Sequence, residues 1–261
     1  MQNRLTELFE RKSSQIFSVF ITAGFPHLNS TVEIIEELAH AGVDMIEIGI
    51  PFSDPMADGP VIQHSSTVAL KNGINLHLIL KQIEQAREKV KTVPFILMGY
   101  INPILQYGIK EFFQDAKEAG ADALIVPDLP FNIYLKDFRE LSAAYDLPVI
   151  MLITPETSVE RIRLIDENCD GFIYMVSSAS TTGVKDRFNE EQLAYFDRIQ
   201  TMSTNHPRLI GFGISNPTTI QAAFDYSSGA IVGSLFIKLL QSEPTVYQAV
   251  KALFERLGVK G

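Results

Sequence analysis

Three carboxylates crowd one short run of the chain, EIGIPFSDPMADGP: Glu47, Asp54 and Asp58. Glu47 interrupts an otherwise apolar segment, MIEIGI, where an ionised carboxylate costs several kcal/mol unless it is paired or put to use. A cross-strand ion pair is the bland explanation. Yet no lysine lies in any of the apolar runs of the chain, and the nearest arginine, Arg208, only opens its run. A desolvated glutamate has a raised pKa and can both donate and accept a proton near neutrality, so Glu47 reads as a general acid/base. Asp54 stands before a proline and Asp58 before Gly59-Pro60, positions where aspartates commonly fold back on their own backbone to form turns. For Asp54 the turn reading leads. Asp58 stays open between turn and chemistry, because a loop carrying Pro51, Pro55 and Pro60 has little entropy to lose in holding a carboxylate over a site.

Glycines form the second group. Thr182-Gly183, Gly211-Phe212-Gly213-Ile214-Ser215 and Gly233-Ser234 follow three successive apolar runs late in the chain. Each alone is ordinary turn chemistry; together they suit a site in which backbone N–H groups and a helix N-terminus face a phosphate. The aromatic residues Phe20, Tyr100, Tyr174 and Phe212 end or follow apolar runs and could line an apolar pocket, although core packing explains any one of them as well. No lysine at a run's end offers a Schiff base, which argues against an aldolase of that kind. The histidines are scattered and the one cysteine, Cys169, has no companion, so no metal site is expected. Gly211-Phe212-Gly213 lacks the continuation of a dinucleotide fingerprint. Carboxylate acid–base chemistry on a phosphorylated small molecule remains.

Elements that could position these residues recur along the chain. Apolar runs at 16–22, 44–49, 94–100, 122–127, 148–154, 170–176, 208–214 and 229–234 are close to continuously hydrophobic, as strands buried on both faces are. Amphipathic stretches such as STVEIIEELAHAG and IKEFFQDAKEAG lie between them, the alternation of parallel βαβ units. Similar turns, AGVD, AGAD and NCDG, announce alternate strands, and no linker breaks the chain. The expected architecture is a single (β/α)8 TIM barrel over 1–261. A helix at roughly 3–12 would cap its bottom, and a short extra helix, 234–241, would follow the last strand. Catalytic groups would then sit at the C-terminal strand ends.

Bulk composition sets outer limits. With 261 residues, 46% hydrophobic, the chain can bury a large core. A formal net charge of −9 without a basic run excludes phosphate-backbone binding, so no nucleic-acid partner is expected. The absence of a long apolar stretch or a secretory leader and the lone cysteine lead to the expectation of a cytoplasmic protein with no membrane association.

The segment MIEIGIPFSDPMADGPVIQ, with FITAGFP after the first strand, VPDLP after the fourth, GFGIS after the seventh and GS opening the last turn, resembles the tryptophan synthase alpha chain family over nearly the whole sequence. That resemblance implies retro-aldol cleavage of 1-C-(indol-3-yl)glycerol 3-phosphate to indole and D-glyceraldehyde 3-phosphate. It implies that Glu47 is the general acid/base and that Asp58 holds the indole N–H. Phe20, Tyr100, Tyr174 and Phe212 match pocket positions, and Gly183, Gly213, Gly233 and Ser234, with Thr182 beside them, match the substrate's phosphate site. It further implies a beta chain as partner, in a heterotetramer of two alpha and two beta chains, with pyridoxal phosphate on the beta chain only and no cofactor on this one. Pro51 and Asp54 would belong to the loop that meets that partner. Two departures stand out. Ser180-Thr181 replaces a glycine-valine pair common after strand 6, and Phe25 stands where an aspartate is common, so that Asn29 or Ser30 should cap the following helix. The competing readings are a sugar-phosphate isomerase and a catalytically silent regulatory barrel. FIT and LIT at the ends of strands 1 and 5 lack the isomerase aspartates, and retention of Glu47 and Asp58 argues against a silent barrel.

Overall fold

A computed structural model of the chain describes residues 3–177 and 186–259. Eight parallel strands close on themselves in sequence order. They are β1 (Ile16–Thr22), β2 (Met45–Gly49), β3 (Phe95–Met98), β4 (Ala123–Ile125), β5 (Val149–Ile153), β6 (Ile173–Val176), β7 (Arg208–Gly211) and β8 (Gly229–Val232). Following strand partners round the ring from Phe20 leads back to β1 eight residues lower, the shear of a TIM barrel. Almost every strand residue is buried, as the continuous apolar runs require when the interior faces one side and helices cover the other.

The helices fall between the strands. Helix α1 (Arg4–Arg11) precedes β1, and α2 (Ser30–His40) follows it. Helices α3 (Pro60–Lys71) and α4 (Leu76–Lys89) join β2 to β3; α5 (Ile101–Tyr107) and α6 (Ile109–Ala119) join β3 to β4. Between β4 and β5 the chain forms α7 (Phe131–Ile133), a π-helical turn over Tyr134–Phe138 and α8 (Arg139–Tyr145). Helices α9 (Val159–Asn168), α10 (Glu190–Gln200) and α11 (Pro217–Tyr226) follow β5, β6 and β7, and α12 (Ser234–Ser242) and α13 (Val246–Leu257) close the chain. The expected capping helix and extra helix are therefore present as α1 and α12.

The bottom of the barrel carries paired charge. Asp44 and Asp122, the last residues of the AGVD and AGAD turns, each bond the preceding strand twice. The Asp44 N–H donates to Phe17 O at 2.9 Å and its Oδ2 accepts from Phe17 N at 2.8 Å; Asp122 repeats the pattern on Phe95 at 2.8 and 2.9 Å. Gly42 and Gly120 before them adopt the left-handed backbone the turn needs. This double bond is the physical content of the repeated turn. Helix α1 then plugs the floor. Its N-cap Asn3 donates to Asp122 O and Asp146 O, Leu5 and Leu8 are buried, and Arg4 and Arg87 clamp the two Asp122 oxygens at 3.0 and 2.9 Å. Arg208 likewise serves this end, donating to Ile199 O and Met202 O, and gives Glu47 no counter-ion.

One local expectation fails. Asn29 occupies the N-cap position of α2, but its side chain accepts no cap bond, because its backbone (φ −98°, ψ 8°) lacks the extended geometry that aims a cap side chain at the helix. Thr31 instead accepts from Gly24 N at 3.0 Å.

Candidate active site

Strand alternation turns Ser18, Phe20 and Thr22 of β1 and Met45, Glu47 and Gly49 of β2 into the barrel. The register sets Glu47 beside Phe20 on one side and Ile96 of β3 on the other. Glu47 is completely buried, and among the described residues neither carboxylate oxygen has a hydrogen-bond partner. Burial pushes it up to about 8, with the Ser18 hydroxyl acting in the opposite direction. Glu47 is thus neutral at physiological pH and within reach of ionisation.

One inward layer higher, a cleft opens at the C-terminal strand ends. It is narrow and is lined by Phe20, Thr22, Asp58, Ser66, Met98 and Tyr100 among others. Small residues make it possible: a methyl group on Gly49 would overlap the Phe20 ring, and one on Gly211 would overlap the Tyr174 hydroxyl. The stiff loop after β2 brings Asp58 over this cleft. There Tyr100 Oη donates to Asp58 Oδ2 at 3.0 Å and accepts from Ala57 N at 3.0 Å, while its ring stacks on Phe52 at 5.3 Å. Burial raises Asp58 to about 6, against the pull of the Tyr100 bond. Asp58 is therefore mostly ionised where Glu47 is mostly protonated, an arrangement that separates an acid from a charge stabiliser. Tyr174 senses both: its phenol is held well above its ordinary value by burial, then by Glu47 and by Asp58.

The remaining predicted residues fall around this centre. Phe212 packs edge-on against Tyr174 at 6.3 Å and holds a left-handed backbone, φ 71°, which costs a non-glycine residue about 1–2 kcal/mol. Gly213 continues the bend at φ 76°. Gly233 lies against Phe20, and Ser234 opens α12, whose N-terminus no side chain caps. Side chains cap α1, α4, α9, α10, α11 and α13, whereas α2, α3, α5 and α6 share with α12 an N-terminus that no described side chain caps. Among the described residues no side chain meets the first N–H groups of α12, which lie beside Gly233 at this end of the barrel. Thr182 and Gly183, with Ser180 and Thr181, lie outside the described residues. Pro51 is buried where the chain leaves the strand, whereas Asp54 is exposed, paired with Ser53. Sequence reasoning passed over Ser18, Thr22 and Ser66; the only signal for the first two was their shared parity with Phe20 along β1. No group of three His, Cys, Asp or Glu placed to hold a metal occurs among the described residues. Nor is any helix among them long and apolar enough to cross a membrane.

Comparison with known proteins agrees with this geometry. A sequence model of the family described as tryptophan synthase alpha chain matches residues 7–258. The alpha chain of Parabacteroides distasonis is 55% identical over 255 residues, covering 98% of this chain and 99% of that one. That of Flavobacterium johnsoniae is 50% identical over 238 residues, covering 91% and 93%. The crystal structure of tryptophan synthase subunit alpha from Legionella pneumophila superposes with a TM-score of 0.86 at 34% identity, covering 98% of this chain and 97% of that one. Family match and relatives extend over almost the whole sequence, and the chain belongs to the tryptophan synthase alpha chain family.

Proposed function

We propose that this chain cleaves 1-C-(indol-3-yl)glycerol 3-phosphate to indole and D-glyceraldehyde 3-phosphate with Glu47 and Asp58 as its two working carboxylates. The observation that carries the reading is their unlike surroundings at one barrel mouth: Glu47 sealed and without a hydrogen-bond partner among the described residues, Asp58 on the cleft and bonded to Tyr100. Neutral Glu47 donates its proton to indole C3, and the ring becomes a cationic indolenine. Ionised Asp58 accepts the indole N–H and stabilises that charge. The Glu47 carboxylate then takes the proton of the glycerol hydroxyl, the bond from C3 to the glycerol carbon breaks, and its electron pair neutralises the ring. One proton enters and one leaves, and the ring itself is the electron sink. Phe20, Tyr174 and Phe212 flank the indole. Gly213, Gly233, Ser234 and the α12 N-terminus receive the phosphate, joined by Thr182 and Gly183.

The partner in this reading is a beta chain bearing pyridoxal phosphate, in a heterotetramer of two alpha and two beta chains. Its docking face is the rim formed by the loop after β2 and by α5, where Asp54, Met56 (89% exposed) and Leu105 (51% exposed) present apolar surface beside negative charge. Buried Pro51 aims this loop from below. Indole release from indole-glycerol phosphate, measured with and without the beta chain, tests the reading. Glu47→Gln should lose at least ~100-fold, the contribution of a general acid/base. Equal release by wild type and Glu47→Gln in the presence of the partner would refute it.

A further inference from the structure

The Glu47 layer of the barrel holds a second polar side chain without a partner. Ser18 of β1 is completely buried, and its Oγ makes no hydrogen bond among the described residues. It pairs in register with Met45 of β2 and Ile231 of β8, both apolar, and it lies one inward step below Phe20, the register partner of Glu47. Ser18 and Glu47 are therefore diagonal neighbours on adjacent strands, facing the same interior. Buried polar groups without partners are rare in native proteins and each calls for an account. Here two occur on adjacent strands one inward step apart, with Tyr174 of β6 a further polar side chain that senses Glu47, and among the described residues each can be the other's partner.

A hydroxyl suits this position in a way that no apolar side chain could. It donates one hydrogen bond and accepts others, so it can pair with a carboxylate as donor and with a neutral carboxyl as acceptor. We propose that Ser18 is a positioning residue for the reaction: its hydroxyl turns to donate to Glu47 when that group is ionised and to accept from it when it is protonated. Both halves of the proton exchange thereby keep a bonded partner, and one carboxyl oxygen is held away from the cleft while the other serves the substrate. The inference rests on the assignment of Glu47 as the acid/base. Among the described residues, the titratable groups gathered at this end of the barrel include Asp58 from the loop after β2, Tyr100 after β3, Asp128 after β4 and Tyr174 of β6; by register β1 and β3 offer Glu47 Ser18, Phe20 and Ile96. None of these is cationic, so the Ser18 bond is the contact that favours the ionised form.

The test follows Glu47 directly. Carbon-13 labelled glutamate carboxyls are titrated by NMR in wild type and in Ser18→Ala, with Glu47→Gln identifying the signal. Losing a hydrogen bond to a charged group should raise the Glu47 midpoint by about one pH unit. The basic limb of kcat/KM for indole release, which reports loss of the Glu47 proton, should rise with it. Ser18→Thr and Ser18→Val form a second pair of equal shape, in which only threonine should keep the wild-type midpoint. An unchanged midpoint in folded Ser18→Ala, or equal midpoints in the threonine and valine variants, overturns the proposal even if Glu47→Gln is inactive. If Glu47→Gln is active while the midpoint still shifts, the bond is real and the catalytic assignment falls instead.

Discussion

Replacing Glu47 by glutamine should stabilise the fold increasingly as pH rises. The native carboxyl keeps its proton up to about 8, whereas an exposed glutamate releases it at 4.5. Between those values the native state binds more protons than the unfolded chain, so stability must fall with rising pH. Below 4.5 both states are protonated and the group contributes nothing; above 8 the penalty is complete. A difference of three to four pKa units corresponds to about 5 kcal/mol in full, of which about 3 kcal/mol accrues between pH 5 and pH 8. Asp58, also raised, adds to the fall at lower pH but is common to both proteins. Glutamine is neutral at every pH, so its own unmet amide adds a constant offset and leaves the slope untouched. Urea unfolding of ligand-free wild type and Glu47→Gln from about pH 5 to about pH 9 isolates the slope. The variant's advantage should grow by about 3 kcal/mol or more across this range, while its indole release is lost. A difference that stays flat would show that Glu47 is hydrated or paired in solution. An advantage that shrinks with pH would reveal a cationic partner and remove the basis for its role as an acid.

Three other outcomes follow from the same geometry. Asp58→Asn should lower kcat/KM for indole release by about 100-fold, with an acidic limb near pH 6 in wild type, where activity falls as Asp58 gains its proton, and none in the variant. Asp122→Ala should cost about 3–5 kcal/mol in urea unfolding by stranding Arg87, yet leave turnover per folded molecule intact, since its partners all lie on the barrel floor. Met56→Asp should weaken beta-chain binding at least ~10-fold in titration calorimetry without altering indole release by the free chain, because it places a charge at an exposed apolar contact.

Most of the barrel was legible because its code is local: a parallel strand covered on both faces must be apolar throughout, and those runs can be read residue by residue. Glu47 was legible for the same reason, as the exception inside such a run. Asp58 was not, since a cleft aspartate and a turn aspartate look alike in composition; what distinguishes it is Tyr100, which is 42 residues away. Only the family resemblance singled it out. Ser18 was out of reach altogether, because a serine in a strand is unremarked until the register sets it diagonal to Glu47, with Met45 and Ile231 as its apolar register partners. The docking loop shows a further limit: composition marks it as stiff and acidic, but not that Pro51 turns inward while Met56 turns out.

Two of the buried carboxylates, Asp122 and Glu47, show how one fold can treat the same buried group in opposite ways. They are equally hidden, at 1% and 0% exposure. Asp122 has two guanidinium groups and the Phe95 N–H to meet its charge, so it is a structural anion, and α1 is tied down through it. Among the described residues Glu47 has no cation and no N–H, and its charge is therefore expensive enough to be withheld near neutral pH. Partners are supplied at the N-terminal end of the strands and withheld, among the described residues, at the C-terminal end, as the proposed acid/base role of Glu47 requires. Burial sets the cost of a charge in both places; the presence or absence of a partner decides whether that cost is cancelled or used.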